Sequence, residues 1–375
     1  MPWCVQSSYF SLLSAEYLFD MNVNTFRNKR PVSLSEVFGI LRPVTLNPMH
    51  SSEPIFQSNP ILALRNIMKN ESCDLSTLAS SSNSANAEGD ALEYFVKDMF
   101  DPEFKAISRS SKGSKKKEYA RYLSWDGNTS NFPDFFVRGG VGVETKKVSA
   151  ANASSIALNS SYPKISVTPT TQNVIKEMSK IDEVWEEKQI VYAVGHVPTP
   201  AKRVDPDVNR VMSLWFFYGN TVFPPEAWYQ LTIKRVRQAL NESFLKMKAN
   251  SKEVARLIDI DPGKHTDMRI RGMYDIDHPQ RMFAGHYEDT TATFPKDSSH
   301  VFLVIRKSDY DALGEQVDLS DPHYDLTPFM EKGTLVQKLV QLPAPELGEI
   351  IAYKTGKITA PRTIECYIFI GYTDA

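Results

Sequence analysis

"NFPDFFVRGGVGVETKKV", residues 131–148, is two apolar stretches broken at Arg138-Gly139-Gly140. Aromatic and β-branched residues suit pleated strands, and a Gly-Gly pair marks a turn, so the stretch predicts a hairpin in the middle of a sheet. It also carries Asp134, Glu144, Lys146 and Lys147, which packing alone does not require. Strand alternation sorts these side chains. Val141, Val143, Thr145 and Lys147 point one way, and Gly142, Glu144, Lys146 and Val148 the other. Glu144 and Lys146 therefore share a face, Gly142 leaves that face open just before them, and Asp134 can approach it from the partner strand. Lys146 is favoured over Lys147 as the partner of Glu144, a choice that a bulge at Gly142 would reverse.

Two carboxylates held close repel unless a cation lies between them, and hard oxygen ligands with retained water suit Mg²⁺. A lysine beside them can orient a water and stabilise charge developing on a phosphate. These groups are equipment for metal-assisted phosphodiester hydrolysis. The alternative is an exposed hairpin with an incidental salt bridge. The Pro-Asp step, the apolar flanks and the turn favour the catalytic reading.

Around the hairpin the chain has ordinary globular composition: 375 residues, 42% hydrophobic, 23% charged, net charge −2. Near-neutrality argues against a uniformly basic nucleic-acid binder, but charge is unevenly spread. Residues 103–121 and residues 234–256 each hold seven Lys/Arg against two Asp/Glu. Such stretches fit a phosphate-facing groove, or simply solvated faces. Cys4, Cys73 and Cys366 are far apart with no CxxC spacing, which fits a reducing cytoplasm. No run approaches the roughly 18 apolar residues needed to span a bilayer. The seven histidines form no metal-protease spacing, and the absence of a Walker loop or GxGxxG means that neither ATP nor a dinucleotide is implied.

Residues 1–75 look like an extension of short helices and loops punctuated by Pro43, Pro48, Pro54 and Pro60, with "SLLSAEYLFDM" as one helical stripe. Residues 76–375 then form the main domain. "GDALEYFVKDMF" predicts a helix capped by Asp90 and bearing Glu93. Lysines 112, 115, 116 and 117 are expected in a loop. "QIVYAVGHV", "VMSLWFFYG", "HVFLVIRK" and "CYIFIGYT" read as strands, the first two buried on both faces. Pro224-Pro225 opens an amphipathic helix with the stripe Ile233, Val236, Leu240, Phe244 and Met247. The order implies an α/β architecture around a central sheet.

Pro133-Asp134, nine residues, then Glu144-Thr145-Lys146 resembles the PD-(D/E)xK nuclease superfamily. The blocks "ANAEGDALEYFVKDMF", "PDFFVRGGVGVETKKV", "ALNSSYPK" and "MRIRGMYDIDHP" resemble type II restriction endonucleases, nearest to the NgoPII type. They are scattered over residues 85–280. Residues 1–75 are extra to that pattern, and the chain beyond about residue 300 matches it only vaguely. The resemblance implies a mixed central sheet flanked by helices, with Asp134 and Glu144 as ligands of Mg²⁺ and Glu93 as a candidate third. It implies Lys146 as the catalytic lysine and double-stranded DNA as substrate, cut to 5′-phosphate and 3′-hydroxyl ends. A short palindromic site would call for a homodimer. A non-cutting DNA-binding protein, a repair nuclease on the same fold and a coincidental motif are the rivals.

Two further groups bear on DNA. Asn159, Ser160, Ser161, Tyr162 and Lys164 in "ALNSSYPK" suit phosphate or base-edge contacts, or a plain polar turn. Arg269 and Arg271 alternate with Met268 and Ile270, so a strand would project both from one face towards guanine edges, or towards Asp275 or Asp277.

Overall fold

The computed structural model describes residues 57–373, apart from 71–72, 76–83, 106–111, 129–130, 151–154, 172–173, 175, 204–208, 243–245, 250–252 and 346–362. The expected helix in "SLLSAEYLFDM", Cys4 and Phe244 lie outside the described residues.

Thirteen strands are found among the described residues: β1 (Leu123–Trp125), β2 (Phe135–Val137), β3 (Gly142–Val148), β4 (Ser155–Asn159), β5 (Ser166–Val167), β6 (Lys188–His196), β7 (Ser213–Tyr218), β8 (Ala255–Leu257), β9 (Met268–Ile270), β10 (Tyr274–Asp277), β11 (Ser299–Arg306), β12 (Leu335–Pro343) and β13 (Thr363–Thr373). A mixed sheet runs in the order β1-β2-β3-β6-β7-β11-β13-β12, with β5 paired to β6. Its middle is parallel at β3/β6 and β7/β11 and antiparallel at β6/β7.

The apolar runs are continuous because both faces of this sheet are covered. On one face Val191, Ala193, Leu214, Phe216, Val301 and Leu303 pack with helices Pro60–Asn70 and Ser84–Met99. On the other, Ile190, Tyr192, Trp215, Phe217, Phe302 and Val304 pack against Ile156, Leu158, Ile276 and Phe283. Period-two alternation between two buried layers gives an unbroken hydrophobic run rather than an alternating one.

Several expectations change. Residues 55–375 form one compact unit. It includes helix Pro60–Asn70, almost wholly buried. Its start is marked by Asn59, whose Oδ1 accepts from the backbone N–H of Ile61 at 2.9 Å and Leu62 at 3.0 Å, with Pro60 following at a position where its missing N–H costs nothing. Asp90 is no cap, because its helix already begins at Ser84. The lysine-rich stretch is a helix, Lys112–Tyr119, rather than a loop. Helix Glu226–Glu242 has no buried residue, so its apolar stripe is not a core face; Val236 is exposed, and Met247 lies outside the helix in a bridge to Leu257.

Two motifs far apart in sequence meet in a separate two-stranded ribbon. β4 pairs antiparallel with β10, setting Asn159 opposite Tyr274 and Ile156 opposite Ile276. "ALNSSYPK" is thus half strand and half loop, and it hangs beside the arginines that precede β10. A second ribbon pairs β8 with β9.

Candidate active site

β2 and β3 form the predicted hairpin, with Phe135 opposite Val143 and Phe136 opposite Gly142. Gly142 does not leave the face open. A Cβ there would come within 2.7 to 3.0 Å of Ile190, Phe136 and Pro133, so the missing side chain lets those three close over the strand. β3 continues in even parallel register with β6, with no bulge to reverse its faces. Val141 and Val143 join one core layer and Val148 the other, as alternation requires.

The polar groups meet where the hairpin leaves the core. Asp134 is anchored twice: its N–H donates to the Val143 carbonyl at 3.0 Å, and its Oδ2 accepts from the Thr145 N–H at 2.6 Å. Lys146 Nζ lies 2.6 Å from Glu144 Oε1. Glu93 comes from helix Ser84–Met99, which sits close to the sheet because Gly195 of β6 has no Cβ to strike Leu92. Glu93, Asp134, Glu144 and Lys146 line one cavity of about 400 Å³ with Asp126, Asn159, Ser160 and Ser161.

Burial, the charge of Glu144 and the charge of Glu93 push the Asp134 carboxyl up to about 8, against the pull of Lys146 and the Thr145 N–H. Glu144 is raised chiefly by burial, with Glu93 adding repulsion and Lys146 opposing it. Burial opposes the charge on Lys146, but Glu144, Asp134 and Glu93 outweigh it and hold the ammonium above its usual range. Burial and the mutual repulsion of the carboxyls therefore favour a proton on Asp134, although Lys146 stands beside the pair.

Two observations fit a divalent cation. Glu144 Oε2 is buried and accepts no hydrogen bond among the described residues. Mutual repulsion of the carboxyls is what a cation would relieve. Among the described residues no three acidic, histidine or cysteine side chains are already gathered as a ligand set. Glu93 Oε1 is instead held by Lys97 Nζ at 2.6 Å, and Lys97 also pairs with Asp126 at 2.7 Å. The arrangement therefore offers Asp134 and Glu144 first, with Glu93 available in exchange for its lysine. One or two carboxylates completed by phosphate oxygens and water suit a hard divalent cation.

Lys97 and Asp126 were missed from sequence. The Glu93-x-x-x-Lys97 spacing, one helical turn, was the available signal. Asp126 had none, since it reaches Lys97 only through the fold.

The DNA candidates divide. Ser160, Ser161, Tyr162, Lys164, Arg269 and Arg271 line a second cleft of about 900 Å³, and Ser160 and Ser161 also belong to the first cavity. Asn159, with φ +56°, turns the chain between them. Lys164 is buried with its ammonium 3.7 Å from the Tyr162 ring centre; burial pulls it down to about 8, against the raising charges of Glu226 and Glu144. Arg269 and Arg271 pair with neither Asp275 nor Asp277 but with Glu253, at 2.5 and 2.9 Å. Lys116 and Lys117 are exposed, whereas Lys115 is buried against Asp98 at 2.8 Å.

The NgoPII restriction endonuclease family model matches residues 58–324. The chain belongs to the NgoPII restriction endonuclease family. It is 32% identical over 230 residues to the type II restriction enzyme NgoPII of Neisseria gonorrhoeae, covering 61% of this chain and 78% of that protein. No solved structure matches it. The NgoPII family match begins at the helix Pro60–Asn70 and includes both cavities. No described helix is long and apolar enough to cross a membrane.

The raised carboxyl of Asp134 has a measurable consequence. Its folded value, about 8, lies above the unfolded value of 3.8. Between the two the folded chain holds a proton that the unfolded chain lacks, so this group's contribution to stability falls as pH rises through the window. A cation taking the proton's place should act most at the upper end. Mg²⁺ or Ca²⁺ should raise Tm more at pH 8 than at pH 6, and Asp134→Asn should flatten that difference. Equal metal-induced shifts at both pH values in the parent would exclude Asp134 as a ligand.

Proposed function

We propose that this chain cleaves double-stranded DNA at a specific short site in a Mg²⁺-dependent reaction, with Asp134, Glu144 and Lys146 as catalytic residues. The carrying observation is that a repelling carboxylate pair with one lysine lines a cavity that shares Ser160 and Ser161 with a larger cleft lined by three arginines, Arg237, Arg269 and Arg271. Residues 55–375 hold this machinery, with the segment before them as an extension.

Asp134 and Glu144 would hold the metal, with Glu93 as a third candidate. When bound, the metal supplies Lewis-acid stabilisation of charge on the scissile phosphate. Lys146, fixed by Glu144, orients the attacking water and faces the charge that develops on phosphorus. In-line attack with departure of the 3′ oxygen leaves 5′-phosphate and 3′-hydroxyl ends. A palindromic site read by a two-fold homodimer gives each strand its own active site. The reaction consumes no ATP, and a cytoplasmic location suits its substrate. Incubation with unmethylated phage DNA and Mg²⁺ should give discrete bands; a smear, or a mobility shift without cutting, would point to a structure-specific nuclease or a non-cutting binder.

If Arg269 and Arg271 read bases, replacing either should cost about 1–3 kcal/mol of site discrimination with little change in non-specific affinity. Lys116 and Lys117, if they meet phosphates, should behave oppositely: their loss weakens all DNA binding and flattens the salt slope. Binding of cognate and scrambled duplexes at two salt concentrations separates the cases. Equal losses for both duplexes in the arginine variants would make them backbone contacts.

A further inference from the structure

A carboxylate stands among the arginines of the larger cleft. Glu253 Oε1 accepts from Arg269 Nε at 2.7 Å and from Arg271 Nε at 2.9 Å. One oxygen thus joins two guanidinium groups that are each more than half exposed, at 53% and 57%. Glu253 itself is placed by the backbone. Arg237, from helix Glu226–Glu242, donates to the Glu253 carbonyl at 2.8 Å and to the Val254 carbonyl at 2.7 Å. β8 starts two residues later and pairs with β9, setting Arg256 opposite Arg269. Arg237, Glu253, Arg269 and Arg271 all line the cleft. The hydrogen bonds from both arginines hold the Glu253 carboxyl well below the usual range, so it stays ionised.

An ionised carboxylate is costly in a groove whose only task is to attract phosphate, because it repels the backbone and cancels part of the arginines' charge. It is useful where geometry matters. A free arginine carries rotamer entropy that must be lost before a bidentate contact forms. Gripping both side chains, Arg269 by Nε and Nη2 and Arg271 by Nε, fixes their spacing before a ligand arrives. Preorganisation of this kind lowers the ordering cost only for the partner that fits, and the residual negative charge penalises the others.

We propose that Glu253 is a specificity-determining residue, which holds Arg269 and Arg271 as one fork in the DNA cleft and trades affinity for discrimination. The proposal rests on the reading of these two arginines as base contacts. In this role Glu253 is a positioning residue, since it acts through the arginines.

The test uses the full chain, its mapped cleavage site in a 30-base-pair duplex, a scrambled duplex, and Ca²⁺ in place of Mg²⁺ so that binding is measured without cutting. Glu253→Ala should bind the scrambled duplex more tightly at low salt, with a steeper salt dependence, and the ratio of cognate to scrambled affinity should fall by at least about tenfold. Digests with Mg²⁺ should gain bands at related sites. Arg237→Ala, with Glu253 intact but its backbone released, should lose discrimination in the same direction, and Glu253→Asp should retain more of it than Glu253→Ala. An unchanged affinity ratio and band pattern in Glu253→Ala overturns the proposal. So does an equal loss of affinity for both duplexes accompanied by a lower Tm, the result of a merely structural role. If the arginine variants themselves leave discrimination intact, the base-reading assignment has failed. If they lose it and Glu253→Ala does not, only the role of Glu253 has.

Discussion

Asp134→Asn and Glu144→Gln should each lower single-turnover cleavage by about a thousandfold or more, the scale on which removal of one group aimed at transition-state charge is felt. Neither change removes packed apolar volume, and the two should differ in what else they do. Asp134 accepts the Thr145 N–H, a bond that an asparagine carbonyl can keep, and its ionised form is disfavoured by burial and by Glu144 and Glu93. The metal-free Asp134→Asn protein should therefore be at least as stable as the parent at pH 8. Glu144 is the counter-charge of a largely buried Lys146, so Glu144→Gln leaves that ammonium with less compensation and should lower Tm. Both variants should bind the DNA site in Ca²⁺-free buffer as well as the parent or better, because carboxylate–phosphate repulsion is relieved. Rapid-quench cleavage, thermal unfolding and duplex titration on the same preparations check all three. A variant cutting at near-parental rate would remove that residue from the site.

The parts legible in sequence were those whose physics is local. Alternation along β3 placed Glu144 and Lys146 together because the strand has no bulge and packs on both sides. The strands β6, β7, β11 and β13 were legible because burial of both faces leaves long apolar runs. Periodicity says that a helix is amphipathic but not what covers it, and the helix Glu226–Glu242 has no buried residue. Proline punctuation masked Asn59-Pro60, a helix start followed by eight residues of which seven are buried. The lysine run looked uniformly solvated, yet Lys115 meets Asp98 from another helix. Glu253 was invisible as a partner of Arg269 because the two lie sixteen positions apart and meet only when the chain between them folds back. The candidates Asp134, Glu144 and Lys146 lie within one hairpin, with Glu93 on the neighbouring helix, whereas Asn159, Glu253, Arg269 and Arg271 come from β4, β9 and the chain beside β8 and β10, so only the former could be read in order along the chain.

Lys146→Ala should reduce the cleavage rate by about 10² to 10⁴, the usual worth of a positioned group that manages a proton or water in the transition state. Its effect on the metal should depend on pH, and the sign follows from the charges. Lys146 pulls both carboxyls down, against the burial that pushes them up. Removing it lets Asp134 and Glu144 rise further, so a cation must displace protons that bind more firmly. At the same time the cation no longer faces a neighbouring ammonium. Above the carboxyl range the second effect stands alone and metal binding should be unchanged or tighter; within the range the first dominates and it should be weaker. The pH of half-maximal metal binding therefore moves upward in Lys146→Ala, a change that calorimetry with Mg²⁺ or Ca²⁺ reads without any cleavage. Lys147→Ala should be mild in both rate and metal titration, because alternation along β3 sets Lys147 on the opposite face from Glu144. If Lys147→Ala abolishes cleavage and Lys146→Ala does not, the catalytic lysine is the other one, and the ion pair between Lys146 and Glu144 serves only to hold the strand.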